Sequence, residues 1–260
     1  MEPDTTKAAT DQDWPEPVEV LNENGSSDIV LLCEHASNHI PACYDGLCLT
    51  PDNLERHIAW DIGAAQVTRL LSAMLDAPAF LGTYSRLLID LNRPLETDGS
   101  IVKRSEDTGI PGNGIINEIE RKRRADELFI PFHARVSAHL DRRADANRQS
   151  RIVTIHSFTP VFHGFVRPWH AGVLFGNAGE LGASIIAGLR RDASLEVEAH
   201  VPYIISPETD YAIPVHGDAR GIPAVLLEIR QDLLVRPDGP REWADRLASA
   251  IPSELSEVEP

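Results

Sequence analysis

Positive charge is scarce in this chain. Of 260 residues, 24 are Lys or Arg and 40 are Asp or Glu, which leaves a formal net charge of −16. Nucleic acid and anionic membrane surfaces need a net positive face, so neither is expected as a partner. Long apolar runs are also missing: none approaches the roughly 20 residues needed to span a bilayer. The opening thirty residues, "MEPDTTKAATDQDWPEPVEVLNENGSSDIV", lack the basic start and apolar stretch of a secretory signal. A cytoplasmic location is therefore expected. Only three cysteines occur, Cys33, Cys43 and Cys48. An odd number without a signal argues against a disulfide framework, and their spacing does not form a C-x-x-C pair. Buried or half-buried thiols are expected instead. No internal repeat and no linker interrupts the chain.

What is present suffices for one large core. Residues 1–14 and 252–260 are poor in apolar side chains and are expected to form acidic tails around a single domain, 15–251. Between them, strand and helix patterns alternate. Ile29–Cys33 is a short apolar run and reads as a buried strand. Thr50-Pro51 supplies a cap and a first-turn proline for a helix expected from Pro51 to about Leu75, ending before Pro78. Tyr84–Leu91 reads as a strand, and the Gly- and Pro-rich stretch from Asn92 to about Ile116 as a long loop. A helical pair, Asn117–Ile130 and Pro131–Asn147, is expected to break at Pro131. Strands follow at Arg151–Ile155, Gly172–Phe175 and Ala224–Ile229, with helices at Glu180–Arg190 and Arg241–Ala250. Alternation of this kind predicts an α/β domain: three α/β/α layers around a mixed, mostly parallel sheet of hydrolase-like type.

Three segments, "IVLLCEHAS", "RIVTIHSF" and "AVLLEIRQD", share one design. Each is an apolar strand that discharges ionisable residues at its end: Glu34 and His35, His156, then Glu228 and Arg230. In open α/β sheets ligands bind at the carboxyl ends of the strands, so these side chains can converge. Two imidazoles and a carboxylate make a plausible zinc site with a position left for water. Asp61 falls within the apolar stripe Leu54, Ile58, Ile62, Ala65, where a carboxylate is costly unless paired or bound to a cation. It is the expected third ligand beside His35 and His156, with Glu34 and Asn38 as alternatives. Strand alternation points Glu34 away from the face of His35. Glu228 is the expected proton-transferring carboxylate, and pairing with Arg230 is its rival role.

"SRLLIDLNRP" offers an anion site. Read as a strand, it places Arg86, Leu88, Asp90 and Asn92 on one face, and a guanidinium fork suits a substrate carboxylate. In "SPETDYAIPVHGDARG", His216 sits in a Gly-flanked loop beside Arg220, where it could stabilise an oxyanion.

With these segments assembled, the chain resembles the N-formylglutamate amidohydrolase family in the ordered blocks "EHASNHIP", "WDIGA", "SRLLIDLNRP", "TIHSFTP" and "PAVLLEIRQDL". The first block departs from the Pro-His-Ser-Gly start associated with that family, which marks a divergent branch. The resemblance implies a zinc-dependent amidohydrolase, with one divalent ion per chain, releasing formate and L-glutamate from N-formyl-L-glutamate in histidine degradation. By position it implies His35, Asp61 and His156 as metal ligands and Glu228 as the catalytic carboxylate. Arg86, Asn92 and Arg93 would hold the substrate, and Arg230 is grouped with them. The expected partner is a small N-acyl amino acid, and the chain is compatible with a homo-oligomer. Two alternatives stand beside this reading: a related zinc amidase or peptidase with a larger amide substrate, and an inactive binding protein for small acidic ligands.

Overall fold

The computed structural model describes residues 14–252. The expected acidic tails lie outside the described residues apart from Trp14 and Pro252. Trp14 packs into the fold, with its ring 6.0 Å from those of Tyr44 and Tyr84.

Eleven strands occur among the described residues. They are β1 (Val18–Leu21), β2 (Ile29–Cys33), β3 (Ala79–Gly82), β4 (Arg104–Ser105), β5 (Thr108–Gly109), β6 (Arg151–Phe158), β7 (Val161–Phe162), β8 (Phe165–Val166), β9 (Ala171–Phe175), β10 (Val197–Ala199) and β11 (Ala224–Arg230). Seven form one sheet in the order β1-β3-β2-β6-β11-β9-β10. β1–β3 and β11–β9 are antiparallel and the other four pairings are parallel. β4–β5 and β7–β8 are separate hairpins.

The central strands read as continuous apolar runs because both faces are covered. Ile29, Leu31, Cys33, Val153, Ile155, Val225 and Leu227 enter one core. The alternate residues Val30, Leu32, Ile152, Ala224 and Leu226 enter the other. The first core is closed by helices Ala64–Leu75, Gly179–Leu189 and Gly239–Ala250. The second is closed largely by helix Ile130–Asp145 and the segment before it. This is the expected three-layer α/β/α arrangement. Among the described residues, no helix is long and apolar enough to cross a membrane.

Several local expectations need correction. The helix expected from Pro51 to Leu75 is two: Pro51–Leu54 and Ala64–Leu75. Gly63 separates them with φ +84°, a conformation that side chains with a Cβ rarely adopt. Asp61 is therefore on the connecting turn, where its backbone N–H donates to His35 O at 2.9 Å. Tyr84–Leu91 is not a strand; the sheet strand is Ala79–Gly82, immediately after Pro78. Residues 84–91 are apolar because the turn itself is buried, and burial alone does not distinguish a turn from a strand. Ser85 holds that turn: its N–H donates to His39 O at 2.8 Å and its hydroxyl to Ala59 O at 2.8 Å. The break at Pro131 is a π-helical turn, Ala125–Phe129, preceding helix Ile130–Asp145. All three cysteines are free; Cys33 is buried, but Cys43 and Cys48 are exposed.

Candidate metal centre and active site

The parallel register of β6 and β11 sets Glu228 beside His156. Both belong to the residue set that faces the second core, as does Glu34 just beyond β2. His35 follows where the chain leaves the strand. The turn before Gly63 then brings Asp61 across the strand ends. One ligand atom each from His35, Asp61 and His156 lies within 4.8 Å of the others, and all three residues are buried.

Hydrogen bonding fixes the ring orientations. His35 Nε2 is 2.7 Å from Asp90 Oδ1, and His156 Nε2 is 3.0 Å from Glu34 Oε2. Carboxylates accept, so both outer nitrogens carry protons and donate. Both Nδ1 atoms then face Asp61 Oδ2, at 3.3 Å from His35 and 2.8 Å from His156. Two imidazole lone pairs converging on a carboxylate oxygen repel one another unless a cation lies between them. Neutral histidines with carboxylates on their outer nitrogens are the usual supports of a metal ion.

The charge balance agrees. Burial opposes ionisation of Asp61 and Asp90. His35 and His156 around Asp61, and Arg86 with His35 around Asp90, outweigh it and hold both carboxyls well below the usual range. Burial likewise opposes ionisation of Glu34, yet the His156 and Thr154 hydrogen bonds bring it down to about 2. Three carboxylates thus face one guanidinium, that of Arg86, which bonds Asp90 at 2.6 Å and Asp61 at 3.3 Å. A cation between the ring nitrogens would take the place of the imidazolium charge that holds these carboxylates ionised. In the metal-free protein, burial lowers the His156 pKa but the Asp61 and Glu34 hydrogen bonds raise it well above its usual value. The donor set of two imidazoles and one carboxylate fits zinc.

A cavity of about 300 Å³ opens over this cluster, and Asp61, Arg86, Asp90, Arg93 and Glu228 line it. Burial pushes the Glu228 carboxyl up to about 7; His156 pulls it down and Asp61 pushes it up. Its Oε2 is buried without a hydrogen-bond partner among the described residues.

Other expected site residues lie elsewhere. Glu34 holds the far nitrogen of His156, while Thr154 donates to the same carboxylate oxygen at 2.6 Å. Asn38 donates its amide to Leu54 O at 3.0 Å and to Glu55 Oε1 at 3.3 Å. Asn92 does not line the cavity; its side-chain oxygen accepts from the N–H groups of Tyr211 and Ala212 at 3.1 and 2.9 Å. Arg230 is turned away from Glu228. It pairs with Asp232 at 2.8 Å and donates to the carbonyls of Arg167, Pro168 and Trp169. His216 is not on a flexible loop but buried in a π-helical turn, Ile213–Gly217, 2.9 Å from His133 Nδ1. His216 is not among the residues that line the cavity, where the expected oxyanion role would place it.

Among the cavity residues that the sequence does not single out are Phe162, Arg167 and Tyr203. Arg167 and Phe162 belong to the β7–β8 hairpin region, and Tyr203 donates to Asp210 Oδ1 at 3.0 Å. The hairpin had a signal. His163-Gly164 lies between apolar residues and adopts φ +47° and +80°, as a type I′ turn requires.

The sequence matches the N-formylglutamate amidohydrolase family over residues 27–235. The fold is similar to the crystal structure of gene product Atu2144 from Agrobacterium tumefaciens, at 38% identity and a TM-score of 0.89, covering 92% of this chain and 95% of that one. It is also similar to an N-formylglutamate amidohydrolase from Ralstonia eutropha JMP134, at 16% identity and a TM-score of 0.65, covering 90% and 95%. No curated protein matches the chain. A family match across four-fifths of the sequence, with the blocks at the strand ends inside it, places this chain in the N-formylglutamate amidohydrolase family.

Proposed function

We propose that the protein hydrolyses the amide of a small N-acyl amino acid, with N-formyl-L-glutamate as the substrate and formate and L-glutamate as products. The observation that carries this reading is the convergence of His35 Nδ1, Asp61 Oδ2 and His156 Nδ1 beneath a small cavity, with the outer nitrogens tied to Asp90 and Glu34. These three residues would hold one zinc ion, which supplies polarisation of the scissile carbonyl and acidification of water.

The remaining work falls to the chain itself. Glu228 accepts a proton from the attacking water and delivers it to the departing nitrogen as the C–N bond breaks. Its carboxyl, pushed up to about 7 by burial, is balanced between the two states that this exchange needs. Arg86 neutralises Asp61 and Asp90, and Arg93 lines the cavity beside Asp210 at 3.4 Å. Asn92 fixes the backbone of residues 211 and 212, which lie outside the cavity lining, so it anchors the fold rather than the substrate. The cavity volume of about 300 Å³ is at the small end for ligand sites and supports a small substrate over a peptide.

The test is formate release from N-formyl-L-glutamate, with metal analysis of the purified protein. About one zinc per chain is expected, and chelation should abolish turnover while zinc restores it. Glu228→Gln should keep the metal and lose kcat by on the order of 10²–10⁴. Full turnover after complete metal removal, or an unimpaired Glu228→Gln variant, would refute the reading.

A further inference from the structure

Three arginines line the cavity, Arg86, Arg93 and Arg167. Two are already committed to carboxylates. Arg86 bonds Asp90 through Nε and Nη2 and Asp61 through Nη1, and Arg93 lies 3.4 Å from Asp210. Arg167 has no ion-pair partner among the described residues. Its one side-chain hydrogen bond there is from Nη1 to the backbone Thr159 O at 3.2 Å. Nε and Nη2 are left with no protein acceptor among the described residues.

The guanidinium is nevertheless held in place. It lies 4.6 Å from the ring centre of Phe162 and 5.6 Å from that of Phe158, a pair of cation–π contacts. Its backbone is fixed too: the N–H donates to Pro160 O at 2.8 Å, and its carbonyl accepts from Arg230 at 3.3 Å. Phe158 is two residues beyond His156 on the same strand, so the guanidinium stands over the strand end that carries a proposed ligand. A half-buried, preorganised cation with open donors, in a cavity whose other arginines are neutralised, is an anion receptor.

Resting on the N-acyl amino acid reading above, we infer that Arg167 is the group that binds a carboxylate of the substrate. Arg86, the more obvious choice from sequence, instead balances the charge of the ligand cluster. The β7–β8 hairpin is thereby a recognition element as well as a wall.

Full-length wild type, Arg167→Ala and Arg167→Lys can be compared in two assays: hydrolysis of N-formyl-L-glutamate, and calorimetric binding of glutarate, a dicarboxylate without an amide. Arg167→Ala should raise KM and weaken glutarate binding by at least about 10-fold, mainly in KM rather than kcat, and Lys should recover part of the loss. The penalty should shrink on the diamide of N-formylglutamate, which has no carboxylate. Unchanged KM and glutarate affinity in Arg167→Ala would overturn the inference. So would an equal loss on acid and diamide, or wild type that binds no glutarate. Arg167-dependent glutarate binding without formate release would sink the hydrolase reading and leave the receptor standing.

Discussion

Two pairs of buried histidines face each other in this molecule, in opposite electrical surroundings. The rings of His35 and His156 are 4.9 Å apart, and those of His133 and His216 are 5.1 Å apart. Around the first pair stand Asp61, Asp90 and Glu34 in direct contact. The second pair touches no carboxylate: His133 Nε2–H donates to Leu91 O at 2.8 Å, and its Nδ1 accepts from His216 Nε2–H at 2.9 Å. The chain of bonds ends at His216 Nδ1, which has no partner among the described residues. Burial lowers His133 to about 3 and His216 to about 4, so both are neutral at pH 7. Burial alone therefore does not make a cation site. The carboxylates facing the rings decide it, by making positive charge affordable in one place and leaving it costly in the other.

The most severe way to break this contrast is Asp61→Asn. Removing the charge while keeping the shape should lower metal affinity by on the order of 10²-fold or more and abolish most turnover, read by metal content and formate release. A variant that retains its metal and activity would mean that the convergence of nitrogens is enough without the acid.

The second pair makes a prediction of the opposite kind. Its histidines are depressed in the folded state, so the unfolded chain binds more protons as pH falls below about 6.5. Their contribution to stability is fully present above that value and is lost as pH falls toward the folded values of about 4 and 3. Between pH 6.5 and 5 each group should cost about 2 kcal/mol. His216→Leu should flatten the pH dependence of urea unfolding by about one proton over that interval, although it lowers stability at pH 7 by about 1–3 kcal/mol through the stranded His133 Nδ1. An unaltered slope would show that the pair is not held neutral.

The smallest effect is expected at Asn38, three residues from His35 but committed to Leu54 O. Asn38→Ala should leave metal content intact and change kcat/KM by less than about 2-fold, because its amide serves Leu54 O and Glu55. Loss of metal would return Asn38 to the ligand set.

Much of this was legible because strands covered on both faces advertise themselves. The runs before Glu34, His156 and Glu228 are continuously apolar, so the polar residues at their ends stand out. Asp61 is legible as an inward carboxylate although it lies on a turn and not a helix, because the cost of burying a charge is the same on both. Arg86 and Asp90 are legible as polar residues on one face, but their pairing is hidden because the turn at 84–91 imitates a strand. Arg167 was not legible at all. Its importance comes from what other residues leave undone, namely that Arg86 and Arg93 already have acids, and no local pattern encodes that.

Gly63 carries a consequence beyond its turn. A Cβ there would lie 2.4 Å from that of Leu234, in the segment that follows β11, and Asp61 is only two residues upstream. The turn that carries the proposed ligand Asp61 is thus closed from behind by an aliphatic side chain outside the cavity. A side chain at position 63 would have to displace Leu234 or shift the turn that carries Asp61, so the proposed ion site depends on a residue that offers it no ligand.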